Sequence, residues 1–568
     1  MSRPRQHLLL LGLIVILSLL LRLTELAAKP LWVDEILTVI FSLGHSFDNR
    51  PMPQIFPIDF LPNIFTFNPQ SCAQIAETVS RESTHPPLFF CLLHGWLGWI
   101  KPNASLEEIV WQARFLPAAF GVAATVAMYF LGRVAFSPTT GLIASAFMAV
   151  SPFAVYLSQE ARHYTLPMLL IILSLTELIS MQRNYTCWGK IRAKNWLPWV
   201  IFTTLGLYTH YFFILVYFSQ IGALFCRQFW LLWRGEKFKS FLLWSRSFYV
   251  CLLPLILFSP WLSILLQHSG RPETEWFKPF EPSFLNYIIP LYQIMIGWIL
   301  MVIALPVETP CLWLTIPSAL LMFTFAFLVG KYVWRRLFQS LYSGDCLQRE
   351  STIIVCSFIL LNLLQFLLII YLLGKDITSA IRYHFVYHPA ICLLMAACFT
   401  HPLGQNKRKE KIKLSYSTVL LVGLLSSLCV VYGLVFEKPY KPELVARNLN
   451  LEAEKPLIVV SGYSKYQEIA LGLEFALELY KQRHYLPTYW LFVDTKNGYN
   501  PVWQFLSNLD NSFASKFSNL WIIAPGLRRQ DFPSNLSFSG SGMCVIDSQH
   551  HYRIGIPYQL YRCFPFSN

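Results

Sequence analysis

Five short stretches of an otherwise apolar chain carry side chains able to do chemistry. Asp34 and Glu35 stand side by side in KPLWVDEILTVIFS. A carboxylate there can take a proton from a hydroxyl; a solvated loop pair, or an Asp cap on the following helix, accounts for it as well. His85 heads STHPPLFF, where tandem proline imposes an extended entry to the next apolar run; the plainer reading is a kink with an interfacial histidine. SQEARHYTLP packs Glu160, Arg162, His163 and Tyr164 between two apolar runs. Glu160 and Arg162 could simply neutralise each other, but such density in so short a loop suits a polar pocket. His210 lies in YTHYF, where a hydrogen-bonded packing role competes with a binding one. Arg382 and Tyr383 open SAIRYHFVYHP. An arginine at a membrane boundary can snorkel, or it can hold a phosphate through paired hydrogen bonds.

The elements that position these residues are membrane helices. Of 568 residues 55% are hydrophobic and 13% charged, with mean hydropathy +0.46; a soluble chain carries about twice that charged fraction. The net charge of +14 sits in short loops between apolar runs, which reads as positive-inside topology and excludes nucleic acid as a partner. Spans are expected at 8–28, 113–134, 139–157, 163–181, 195–209, 211–233, 247–267, 311–333, 352–373, 382–400 and 416–436. The run from Leu8 resembles a signal peptide in outline, but it continues past Arg22 to Ala28 and reads as an uncleaved first span. Basic loops at 182–195, 234–246, 331–351 and 401–415 should be cytoplasmic. These signs agree if 86–100 and 286–304 do not cross, so both are expected as interfacial or re-entrant segments. Eleven crossings put the N-terminus inside and the C-terminus outside. Every candidate residue above then falls at the outer face, where ionisable groups near a membrane are functional candidates.

Residues 1–436 are thus expected to form the membrane module, with 29–112 as its first outer loop, and 437–568 a small exported α/β domain. LIVVS at 457–461, 489–493 and 520–524 read as strands, with helices at 466–483 and near 501–516. The 13 cysteines show no CxxC pair and no Cys/His metal spacing. Cys544 and Cys563 lie in the tail and could pair if it is exported.

Taken together and in order, these pieces resemble the GT-C glycosyltransferases, in particular the protein-mannosyltransferase and aminoarabinose-transferase-like group called family 39. The resemblance rests on Asp34-Glu35, the PPL segment headed by His85, RFLPAAFG at 114–121, the SQEARHY loop, THY at 209–211 and RY at 382–383, and covers roughly residues 8–400. It implies a polytopic helical bundle and a sugar donor on a polyprenyl monophosphate, with a lipid, glycan or protein as acceptor. It implies an inverting transfer with Asp34 as general base and Arg382 at the leaving phosphate, His85 and Arg162 helping. Glu35 and Glu160 would position the base or bind sugar hydroxyls, as would His210; His163, Tyr164 and Tyr383 line the same substrate site. No cofactor is required; a divalent metal, if used, would fall to Glu160 and His210. Departures from the family are His85 where several relatives have Lys, Glu160 where protein mannosyltransferases have Asp, and no luminal β-trefoil, which weakens protein as the acceptor. The expected location is the bacterial inner membrane. A transporter or flippase of lipid-linked glycan would place polar groups near the bilayer midplane and often shows two related halves, neither of which is visible. A polysaccharide polymerase or ligase would use a diphosphate carrier.

Overall fold

In the computed structural model, the described residues are 3–48, 54–101, 103–188, 193–233, 241–271, 283–343, 346–400, 414–483, 487–508, 518–538 and 542–565. The chain divides into two compact units: residues 1–26, 83–89 and 114–436 form one, and 27–82, 90–113 and 437–568 the other.

The first unit is a helical bundle. Among the described residues of the chain, seven helices are long and apolar enough to cross a membrane, and a bent pair makes an eighth. Their outward faces carry large apolar side chains, such as Leu8, Leu13, Trp313, Leu320 and Phe327. So much exposed apolar surface is stable only against lipid. Phe284–Val302 forms a 19-residue helix that passes this test, against its expected reading as an interfacial segment. Charge parity had kept it out of the membrane; its length and composition put it among the candidate spans. Leu88–Ile100 has 13 residues, short of the roughly 20 that a span needs. Much of the basic loops used to orient the chain lies outside the described residues.

The expected span at 139–157 is broken. Helix Pro138–Val150 and helix Pro152–Ser158 meet at a 60° bend. Pro152 drives Ser151 to an extended conformation (ψ 119°) and then starts the next helix at its first position. A break inside a bundle strands carbonyls that lipid cannot satisfy. Here Arg22 Nη2 and Nη1 donate to Met148 O and Ala149 O, both at 3.0 Å, and Ser427 Oγ donates to Val150 O at 2.8 Å. Arg22 is fully buried and also donates to Ser158 Oγ and Ser18 Oγ. It crosses helix Leu106–Ala135 at Gly121, where a Cβ would lie 2.2 Å from Ser158 Oγ and 2.9 Å from Arg22 Nε. That close approach explains the glycine closing RFLPAAFG.

Replacing Arg22 with Met should therefore strand two carbonyls, at about 1–3 kcal/mol each. The melting temperature of the detergent-purified protein is expected to fall by at least about 5 °C. An unchanged melt would mean that the break does not depend on this guanidinium.

The second unit centres on a seven-stranded sheet. Its strands are β1 (Ile55–Pro57), β2 (Leu457–Tyr463), β3 (Thr488–Asp494), β4 (Asn519–Ile523), β5 (Asn535–Phe538), β6 (Gly542–Ile554) and β7 (Ile556–Pro565), in the order β1-β3-β2-β4-β7-β6-β5. β2, β3 and β4 are parallel and β5–β7 form an antiparallel meander. The fully buried run of β2 suits a parallel strand covered on both faces. On one face Ile458, Val460, Leu491 and Ile522 pack with Val502 and Leu506 of helix Asn500–Ser507. The expected helix near 501–516 ends at Ser507, and 509–517 lie outside the described residues. β1 comes from the 29–112 segment, far ahead of the tail in sequence, and pairs antiparallel with β3.

Two disulfides staple this unit. Cys544–Cys563 joins facing positions of β6 and β7. Cys72–Cys91, which the sequence reading did not anticipate, ties helix Cys72–Glu82 to helix Leu88–Ile100.

Candidate active site

Four turns of the first unit bring its candidate residues together. His85 sits before the diproline, and the amide of Leu88 donates to Tyr208 O at 3.1 Å, which ties that turn to the one carrying His210. The loop after helix Pro152–Ser158 is held by Gln159 Nε2, which donates to Thr24 O at 2.9 Å, and by Thr165 Oγ1, which donates to Pro117 O at 2.9 Å. Between these anchors lie Glu160, Arg162, His163 and Tyr164, all buried. The fourth turn is the 3-10 segment Ile381–Val386, which presents Arg382 and Tyr383 just before helix His388–Thr400. The span expected from 382 therefore begins six residues later.

Three histidine rings touch at the centre. His163 lies 4.7 Å from both His85 and His210, centroid to centroid, and His85 and His210 are 6.1 Å apart. Tyr164 is 4.5 Å from His163, and Tyr383 is 6.0 Å from His210. Arg162 Nη2 is 3.4 Å from His85 Nε2, and the guanidinium stands 5.7 Å from the Tyr164 ring. Arg382 stands 5.6 Å from the Tyr383 ring.

Burial, and after it the positive field of Arg162, holds the proton affinities of His85 and His163 well below the histidine range. His210 is pushed down to about 3 by burial, then by Arg162 and Arg382. All three rings are therefore neutral at pH 7, and the permanent positive charge comes from the two guanidiniums. The Phe212 amide donates to His210 Nδ1 at 3.0 Å, so a neutral His210 carries its proton on Nε2. That Nε2 is buried and has no hydrogen-bond partner among the described residues. Neither ring nitrogen of His163 has one either, and His163 is 0% exposed. Buried polar atoms are nearly always satisfied in a native protein. Two histidines with spare capacity beside two arginines make a site shaped for an oxygen-rich anion.

Asp34 and Glu35 lie in the second unit, in the first turn of helix Val33–Ser42. Asp34 is half-buried. Glu35 is 1% exposed, and its carboxylate accepts from the Trp32 amide at 3.5 Å. No group of three or more His, Cys, Asp or Glu side chains among the described residues has the geometry to hold a metal ion. Sequence reasoning passed over Gln159 and Arg22, which anchor the 160–164 loop and the bend before it. An arginine inside the apolar run 8–28 was the available signal for the second.

Residues 85–264, roughly a third of the chain, match the family model described as dolichyl-phosphate-mannose-protein mannosyltransferase. No curated protein sequence matches the chain significantly. Among solved structures, ArnT from Cupriavidus metallidurans bound to undecaprenyl phosphate superposes with a TM-score of 0.50 at 10% identity, covering 99% of this chain and 98% of that one. The apo oligosaccharyltransferase of Archaeoglobus fulgidus gives 0.47 at 13% identity, covering 91% and 69%. From the family model and the full-length match to ArnT, this chain is a polytopic membrane protein with the GT-C glycosyltransferase fold.

Proposed function

We propose that the chain transfers a sugar from a polyprenyl-phosphate carrier to an acceptor on the extracytoplasmic face of the membrane, with inversion at the anomeric carbon. The observation that carries this reading is the cluster of Arg162, Arg382 and two buried histidines with unsatisfied nitrogens. A phosphate monoester leaving group gathers negative charge as its bond to the sugar breaks, and fixed cations in a site of low dielectric lower that barrier. Arg382 meets the phosphate first, Arg162 supports it, and His210 Nε2–H donates to a phosphate or sugar oxygen. Glu160 accepts from sugar hydroxyls. Asp34 takes the proton of the attacking acceptor hydroxyl, a role given by its place in the family pattern.

The match to a structure holding undecaprenyl phosphate supports a monophosphate carrier. The two disulfides of the second unit support an oxidising compartment for it, and hence an extracytoplasmic tail on an inner-membrane protein with its N-terminus in the cytoplasm. The acceptor is a lipid, a glycan or a protein.

Mass spectrometry of envelope glycolipids and glycoproteins from a strain lacking this chain tests the proposal. One sugar species should disappear, return with the wild-type chain and stay absent with the Asp34→Asn chain. An unchanged envelope profile would remove the transferase reading.

A further inference from the structure

Glu474 lies in the middle of helix Tyr466–Gln482, among Ala470, Leu473, Ala476 and Leu477. It is 1% exposed, a costly place for a carboxyl. Its Oε2 accepts a hydrogen bond from the Val33 amide at 2.9 Å, across 441 positions of sequence. Val33 is the first residue of the helix that carries Asp34 and Glu35. The first amides of a helix have no acceptor within it, and Trp32 at the N-cap offers no side-chain oxygen. A carboxyl brought in from elsewhere satisfies one of those amides and faces the positive end of the helix dipole. The second oxygen, Oε1, is buried without a hydrogen-bond partner among the described residues.

We propose that Glu474 is a positioning residue: the tail domain uses it to hold the first turn of helix Val33–Ser42, and with it the Asp34 carboxylate, in one place. Its catalytic consequence rests on reading Asp34 as the base; the grip on the helix does not. The tail thereby takes part in the reaction without touching substrate.

The groups facing Glu474 make this grip sensitive to pH. Burial, and then the charges of Glu35 and Asp34, push its proton affinity up to about 8, while the Val33 amide and Lys438 pull the other way. The Tyr440 hydroxyl faces the same group, and the Lys438 ammonium sits 4.0 Å above the Trp32 ring. A helix start released from the tail would return Glu474 to the ordinary carboxyl value of 4.5. The docked state then holds the extra proton between those two values. Docking is strongest at low pH, weakens as pH rises through the window and levels off above about 8.

Hydrogen–deuterium exchange on the full-length protein in detergent reads the grip directly, through peptides covering residues 30–38 after correction for intrinsic rates. In the wild type, protection of this stretch should fall at least about tenfold from about pH 5 to pH 8.5. Glu474→Gln keeps an acceptor for the Val33 amide and cannot ionise, so its protection should be high and flat. Glu474→Ala should lose about tenfold in protection at low pH, while residues 457–463 stay protected. A flat wild-type profile, a Gln variant that keeps the slope, or an Ala variant protected like the wild type would each overturn the proposal. If the Ala variant unfolds its tail, the comparison of Gln with wild type decides alone. With the donor found by the envelope experiment, Glu474→Ala should lower kcat by about 10²-fold and leave the donor KM within about twofold. Asp34→Asn assayed beside it separates the two readings. An active Asn variant removes the base and leaves the grip standing; a dead Asn variant beside a fully active Glu474→Ala removes the positioning role.

Discussion

Replacing Asp34 with Asn should lower sugar transfer by about 10²–10⁴-fold, the usual contribution of a positioned general base, while the protein still folds and inserts. The amide has the shape of the carboxylate but does not take up a proton near neutral pH. The helix start has other groups to hold it. The backbone carbonyl of Asp34, not its carboxylate, accepts the Thr38 hydroxyl at 2.8 Å, and the helix start is served by Glu474 and Glu35. The same geometry chooses between the two adjacent acids. Glu35 is buried and folded back on the Trp32 amide, whereas Asp34 is half-buried and keeps surface for an acceptor. Glu35→Gln should therefore cost far less turnover than Asp34→Asn. Steady-state turnover with the identified donor, beside a melting curve for each variant, measures both. Full activity in Asp34→Asn would remove Asp34 as the base.

The residues that could do chemistry were legible because they violate their surroundings. Glu160, Arg162 and His163 stand out in an apolar chain by type alone, and an apolar run of the right length predicts a helix whatever its neighbours. The strands at 457–461, 489–493 and 520–524 were visible for the same reason: short, strongly apolar runs bounded by turn residues. What could not be read depends on partners distant in sequence. The Val33–Glu474 bond spans 441 positions, and β1 joins the tail sheet from the 29–112 segment; neither leaves a local pattern. Cys91 sits in an apolar helix, where a thiol passes for a small hydrophobe, while Cys72 opens a largely polar one, and only the packing of those helices brings the two together. The break at Ser151 is a different case. Pro152 announced it, but mean hydropathy across 139–157 hid it, because hydropathy is blind to backbone geometry. At Phe284–Val302 two sequence rules point different ways: charge parity reads an interfacial segment, whereas the length and composition of the 19-residue helix qualify it as a candidate span.

Arg382→Ala should raise the donor KM by at least about tenfold and lower kcat/KM for the donor by about 10²–10³-fold, with the acceptor KM unchanged. The reasoning turns on where positive charge can come from. His85, His163 and His210 stay neutral, because burial and the neighbouring guanidiniums oppose a second proton on each ring. As neutral rings they can offer hydrogen bonds but no charge, so in the proposed reaction Arg162 and Arg382 are the cations of this cluster that face a phosphate becoming more negative as the sugar leaves. The two arginines are unequal as probes. Arg162 is 4% exposed and packed against Tyr164 and His85, so its loss would disturb the ring cluster as well as the field. Arg382 is half-buried on a short 3-10 turn beside Tyr383, and its removal changes the field with less repacking. Lysine at 382 would restore the charge without the planar fork that grips two phosphate oxygens, so Arg382→Lys should recover only part of the lost donor affinity. Titrating each variant with the carrier lipid phosphate, in the absence of sugar, isolates this contact. An Arg382→Ala protein that binds the lipid phosphate like the wild type would take the phosphate away from this guanidinium, leaving Arg162 as the cation at the site.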